Sequence, residues 1–242
     1  MNTPRLRYKK EFEDILEHYV VSDDAKVVLK DLPMVLIMGA TGTGRSLLVQ
    51  HMKDSGRYFY IVSDTTRPPQ TRDGQLEQNG LQYFFRSEEE ILADLKAGNF
   101  LEAELIHQQQ VSGISMRELK KAAQSGKVAF TETDLAGVLN IKKAKADVIV
   151  IFLLPPSYGE WQKRIADRGG VSQAEANRRL KTAARFLREA PQYDFFQFVV
   201  AEDVGQSMAI IDGLTKGQSN PQQERGAELV KTLLKELEKA IT

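Results

Sequence analysis

The 242-residue chain has no cysteine, which rules out disulfides, thiolate zinc sites and a cysteine nucleophile. It also lacks an excess of either charge, because Lys+Arg and Asp+Glu both number 33. A balanced chain builds no global field toward nucleic acid or an anionic membrane, so neither is an expected partner. No apolar run approaches the roughly 20 residues of a membrane span. The opening Met1-Asn2-Thr3-Pro4-Arg5 is polar and without the apolar centre of a signal peptide, so the expected location is the cytoplasm. Internal repeats are lacking too. What remains is a chain long enough for a sizeable core, as one domain with inserted subdomains or as two small domains.

Five short apolar runs read as strands: Val35–Met38, Tyr58–Val62, Val128–Thr131, Val148–Leu154 and Phe196–Val200. Most are apolar throughout, as strands covered on both faces are, and helical patterns separate them. The predicted fold is α/β, a five-stranded parallel sheet with helices on both faces. Directly after the first run comes Gly39-Ala40-Thr41-Gly42-Thr43-Gly44-Arg45-Ser46-Leu47, followed by a helical pattern. Strand, glycine-rich loop and helix are the context of a phosphate-binding P-loop. The glycines let backbone N–H groups turn inward around phosphate oxygens, and the helix N-terminus adds positive potential. Ser46 is placed to offer its hydroxyl to Mg²⁺. Arg45 stands where the motif has lysine.

The rest of the chain divides around this core. Residues 1–32 form a helical extension, with Lys9–Tyr19 and Ser22–Leu29 as short helices outside the core. The central domain spans 33–214, its core made of 33–66, 125–160 and 191–214. An insert over 67–124 contains a Tyr83-Phe84-Phe85 strand and two helices. Ser87-x-x-Glu90 and Ser115-x-x-Glu118 have capping-box spacing, and Gly98 and Gly126 stand where C-terminal glycines belong. A lid over 161–190 is arginine-rich and broken at Gly169-Gly170, with Ser172-x-x-Glu175 opening a new helix. Residues 215–242 are a polar linker and a helix with Leu229, Val230, Leu233, Leu234, Leu237 and Ile241 on one stripe. That stripe predicts a terminal helix docked on the core, with a homodimer contact as the alternative to a monomer.

Ser63-Asp64-Thr65-Thr66-Arg67-Pro68-Pro69 follows the second strand and so falls at the sheet edge where ligands bind. Arg67 can make a bidentate contact to phosphate. From Val35 to Leu214 the chain resembles guanylate kinase. The resemblance rests on the P-loop, Ser63-x-Thr65-Thr66-Arg67-x-Pro69, Tyr83-x-Phe85, Phe100-Leu101-Glu102, Asp134-x-x-Gly137 and Arg164-x-x-x-Arg168-Gly169, in that order. It implies a P-loop nucleotide kinase that moves the γ-phosphoryl group of ATP, with Mg²⁺, to GMP or dGMP. The positions matching the family's guanine readers are Ser63, Glu102 and Asp134. Paired carboxylates suit guanine, which presents N1–H and an exocyclic amine on one edge, whereas adenine has no such adjacent donors. Arg67 and Tyr83 match acceptor-phosphate contacts. Arg164, Arg168 and Arg179 match lid arginines that close on the transferring group, a reaction that needs positioning and charge neutralisation. Glu132 matches an acid near the metal.

The departures are as specific. Arg45 replaces the compact P-loop lysine with a planar fork. Gln70 stands where the family has a second phosphate-binding arginine, and Arg72, two residues on in a longer loop, is expected to replace it. The tyrosine and hydroxyl that follow the Glu element become Val111-Ser112-Gly113-Ile114, with Ser115 nearby. Ala201 takes the place of an asparagine near adenine. Two further readings therefore stand beside the GMP kinase: a binding module that keeps this fold with weakened catalysis, and a kinase for another monophosphate.

Overall fold

The structure, a computed structural model, describes residues 6–72, 74–167 and 173–241. Two short helices come first, α1 (Lys9–Glu17) and α2 (Asp23–Lys30). Strand β1 (Met34–Gly39), helix α3 (Arg45–Asp54) and strand β2 (Tyr58–Tyr60) follow. Next come β3 (Asp64–Thr65), β4 (Thr71–Arg72), β5 (Gln75–Leu76), β6 (Phe84–Phe85) and α4 (Glu88–Lys96). The hairpin β7 (Phe100–Ile106) and β8 (Gln110–Ser115) leads into α5 (Met116–Ser125). Strand β9 (Val128–Glu132), α6 (Leu135–Ala144), β10 (Ile149–Leu154), α7 (Tyr158–Asp167) and α8 (Gln173–Glu189) continue the chain. It ends with β11 (Phe196–Val200), α9 (Val204–Leu214) and α10 (Gln223–Ile241).

The main sheet is parallel, in the order β11-β10-β1-β9-β2. The five apolar runs of the sequence are its strands, and every residue of β1 is buried. A strand with both faces covered gains from apolar side chains at every position, so alternation is lost. By contacts the chain forms two compact units, one of residues 1–33, 59–131 and 136–147, the other of 34–58, 132–135 and 148–242.

In the second unit the free edge of β11 is closed by side chains. Gln223 and Gln222 accept from the N–H groups of Phe198 and Val200 at 2.9 and 2.8 Å, while Gln223 and Asn220 donate to Phe196 and Phe198 carbonyls, both at 2.9 Å. Alternate residues of an edge strand point their backbone groups outward, and here amides at the start of α10 satisfy them in place of another strand. The stripe of α10 packs on this chain's own α8 and β11, with Val230, Leu233 and Leu237 fully buried.

In the first unit a second sheet runs β6-β3-β8-β7. Helix α1, expected outside the 33–66, 125–160 and 191–214 core, packs within this unit on residues of the 67–124 insert. Phe12 of α1 is fully buried with Ile91, Leu92, Leu95, Phe100 and Val111. The Glu88 carboxylate at the head of α4 accepts from the backbone N–H of Arg7 and Tyr8. Ser87 and Glu90 form the reciprocal capping box that their spacing predicts. Ser115 and Glu118 do not. Glu118 is buried and pairs with Lys121 at 2.9 Å, and the Ser115 hydroxyl makes no cap. There Glu118 pairs with Lys121 on its own helix instead of reaching back to the cap.

Candidate active site

The loop after β1 has its shape set by glycine. Gly42 and Gly44 sit at φ 85° and 97°, in the left-handed region that L side chains avoid. Space also matters, since a Cβ on Gly42 would lie 2.8 Å from Ile165 and 3.1 Å from Trp161. Thr43 is buried and its hydroxyl donates to the Ala40 carbonyl at 2.9 Å, pinning the loop from within. Gly44 caps α3 without a side chain, and the first turn of α3 carries no acid. The first N–H groups of α3 have no intrahelical acceptor, and the positive helix end is not neutralised by its own residues. Such an arrangement attracts phosphate.

Arg45 folds back under this loop. Its Nη1 donates to the Gly39 carbonyl at 2.9 Å, and its Nε pairs with Glu132 Oε1 at 2.7 Å. Both side chains remain about one-third exposed, at 34% and 29%, so the pair is partly screened by solvent. Burial pulls the nearby Lys53 ammonium below its ordinary value, while the Glu132 charge pulls the other way. Helix α7 lies on the loop as well. Trp161 is buried and donates from its indole N–H to the Thr41 carbonyl at 2.7 Å. Arg164 donates to the carbonyls of Ala201 at 3.1 Å and Thr43 at 3.4 Å, and its Nε pairs with Glu160. Arg45, Glu132, Arg164 and the loop are thus brought together. Arg179 lies partly exposed on α8, and Arg168 lies outside the described residues.

Among the described residues, no three His, Asp or Glu side chains gather to hold a metal ion. Mg²⁺ still fits the loop, because it keeps several waters and takes one or two protein oxygens beside substrate phosphates. The exposed Ser46 at the head of α3 offers a hydroxyl, while the Glu132 carboxylate is already engaged by Arg45. Leu47 is 55% exposed beside it.

The acceptor candidates on the first unit are organised around a buried ion pair. Arg67 is 6% exposed and bound by both Nη atoms to Glu77, at 2.5 and 2.9 Å. That double hydrogen bond holds the guanidinium charged, above its ordinary range, against the opposing pull of burial. Glu77 also accepts from the backbone N–H of Gln70 at 2.9 Å, so it ties the β4–β5 hairpin to Arg67. The Arg67 guanidinium lies 4.7 Å from the centre of the Tyr83 ring. Glu77 escaped the sequence reading because it sits in a polar loop with no periodic signal. Arg72 ends β4, and its side chain is outside the described set.

A second network lies beside it. Asp64 is fully buried and accepts from Arg86 at 2.9 Å and Arg117 at 2.6 Å. Burial raises its carboxyl above the usual range, and the two arginines oppose that shift. The Ser63 carbonyl accepts from the Phe84 N–H at 2.9 Å, locking β6 beside β3. Ser112 donates from its hydroxyl to Thr65 Oγ1 at 2.7 Å inside this sheet. Glu102 is half-buried on β7. Asp134 is exposed just before α6, in the other unit.

A family model described as guanylate kinase matches residues 31–214. A guanylate kinase from Synechococcus sp. is 35% identical over 199 residues, covering 77% of this chain and 86% of that protein. The guanylate kinase of Corynebacterium diphtheriae is 33% identical over 187 residues, 76% of this chain and 95% of its own. Among solved structures, guanylate kinase from Anaplasma phagocytophilum aligns with a TM-score of 0.53 at 24% identity, over 81% of this chain and 92% of that one. This last likeness is one of fold.

Proposed function

The chain belongs to the guanylate kinase family, and on that premise we propose that it transfers the γ-phosphoryl group of ATP to GMP or dGMP, yielding ADP and the diphosphate. The observation that carries this reading within the family is the loop itself: glycines at positive φ, a helix start without acids, and a cation beneath it. The 40–46 backbone N–H groups would hold the β- and γ-phosphates, with Arg45 below them. Mg²⁺, taken with the nucleotide and the Ser46 hydroxyl, would supply neutralising charge on the phosphate oxygens. The acceptor phosphate attacks the γ-phosphorus in line, so no residue serves as nucleophile.

On the acceptor side, Ser63, Glu102 and Asp134 are assigned to the guanine edge. Tyr83 and Arg72 are assigned to the phosphate of GMP. Arg67, spent largely on Glu77, is assigned to shaping that pocket by fixing Tyr83. Arg164, Arg168 and Arg179 are assigned to the transferring phosphoryl group, with Arg164 exchanging its carbonyl partners for phosphate oxygens. Small-molecule nucleotides are the partners, and the cytoplasm is the location. No helix among the described residues is long and apolar enough to cross a membrane.

A steady-state screen of GMP, dGMP, AMP, CMP and UMP with Mg·ATP tests the reading. GMP and dGMP should turn over and the others should not. Faster turnover of another monophosphate would reassign the base pocket. Tight nucleotide binding with no ADP formed from any of them would make this chain a binding module.

A further inference from the structure

Residues 1–30 precede the span that matches the family, yet they reach the strand that carries Glu102. The Tyr19 hydroxyl, just after α1, donates to the Phe100 carbonyl at 2.7 Å and accepts from the Phe100 N–H at 2.8 Å. One hydroxyl thus satisfies both backbone polar groups of one residue on β7, the edge strand of its sheet. The pairing of β7 with β8 shifts register at this point. Phe100 faces Ser115 and Glu102 faces Ile114, so two steps on β7 match one on β8. A bulge of this kind bends the strand and re-aims the side chains that follow. Phe100 and Leu101 are both buried, at 0% and 1% exposure, and Glu102 is the first residue beyond them to emerge.

We propose that Tyr19 is a positioning residue for the acceptor base: by holding Phe100 at both ends of its peptide geometry, it fixes the bulge that aims Glu102. The proposal rests on the assignment of Glu102 to guanine. Because Tyr19 lies outside the family span, the device belongs to this chain's extension rather than to the kinase core.

The test is Tyr19→Phe, which keeps the ring and removes the hydroxyl. Calorimetric GMP affinity should fall about fivefold, the size of one or two lost hydrogen bonds, while Mg·ATP affinity and kcat at saturating GMP stay within about twofold. Ile15→Ala serves as the structural control, since Ile15 packs on the same cluster through a side chain that can form no hydrogen bond. It should lower the melting temperature yet leave GMP affinity within about twofold when both variants are measured well below their melting points. Unchanged GMP affinity in Tyr19→Phe, or an equal loss in Ile15→Ala, would overturn the proposal. Glu102→Gln separates the two layers. If it weakens GMP and Tyr19→Phe then adds little to it, the positioning role stands. If the two losses simply add, Tyr19 acts elsewhere. If Glu102→Gln alone changes nothing, the base assignment fails and takes this proposal with it.

Discussion

The phosphate loop takes its form from backbone. Gly42 and Gly44 adopt φ of 85° and 97°, and one threonine hydroxyl 2.9 Å from a carbonyl three residues back completes the turn. The acceptor insert is held instead by charged side chains buried against each other: Arg67 on Glu77, and Asp64 between Arg86 and Arg117. The loop's turns come from its own glycines and Thr43, with Trp161 of α7 bracing the Thr41 carbonyl, so a change of the cation beneath it leaves the cradle intact. The insert's geometry comes from pairs 10, 22 and 53 positions apart, and removing one partner leaves Arg67 or Asp64 a buried charge short of a counter-ion. Catalytic substitutions should therefore be cleanly separable from stability in the loop and inseparable from it in the insert.

The largest expected effect tests the loop half of that contrast. Arg45→Ala should lower kcat by about a thousandfold, the scale of a lost phosphate clamp. Its unfolding free energy should move by less than about 1 kcal/mol, because the Arg45–Glu132 pair is one-third exposed. A coupled ADP assay and urea unfolding on the same preparations give both numbers. Arg45→Lys should retain turnover within about tenfold, since charge is kept and the cradle is backbone. A large loss of stability in Arg45→Ala would break the comparison.

In the insert, Glu77→Ala should cost about 3 kcal/mol or more of stability, because it leaves Arg67 buried and unpaired at 5% side-chain exposure. GMP affinity should fall with it while Mg·ATP affinity holds. Replacing both partners, as Arg67→Met with Glu77→Leu, should recover most of the stability but not GMP binding. Full GMP binding in that double variant would remove the pair from acceptor recognition. Next in size is Glu102→Gln, expected to weaken GMP by about 2 kcal/mol through loss of a charge-assisted hydrogen bond. Titration with AMP should be unaffected. Equal affinity of the wild-type protein for AMP and GMP would defeat the guanine assignment.

What sequence reveals follows the same division. The inner strands of the main sheet were legible because Val35–Met38 and Ile149–Leu154 are almost wholly buried and hence uniformly apolar. The loop was legible because only glycine tolerates φ near 90° where a Cβ would strike Trp161 and Ile165. The pairing of Arg67 with Glu77 was not, since a polar ten-residue stretch gives no sign of which acid turns inward. Nor was the partner of Arg45, because nothing local to Glu132 marks it as the acid that reaches beneath the loop. Tyr19 was read as the end of a peripheral helix. Its role depends on Phe100, 81 residues away.

The smallest effect sharpens the contrast within the insert, where one local spelling has two outcomes. Ser87 and Glu90 complete their capping box: Glu90 N–H donates to the Ser87 hydroxyl at 3.2 Å, and Ser87 N–H donates to the Glu90 carboxylate at 2.9 Å. The backbone donation from Ser87, followed by its hydroxyl, holds the Glu90 carboxyl below its ordinary range. A lowered acid contributes stability above its unfolded value and loses it as pH falls through the folded one. Ser115 has the same spacing to Glu118, but its hydroxyl is buried at 2% exposure without a partner among the described residues. Ser87→Ala should therefore cost about 1 kcal/mol near neutral pH. Ser115→Ala should cost less than about 0.5 kcal/mol or stabilise slightly, because it removes a buried donor that makes no bond. The stability contribution of the Glu90 carboxylate itself, measured as Glu90→Gln against wild type, should shrink below about pH 4, where both folded and unfolded forms take up the proton. Urea unfolding of the three variants at neutral and acid pH reads all of this. Equal losses for the two serines would mean that Ser115 does find a partner, such as an ordered water, and that the shared spelling has one outcome after all.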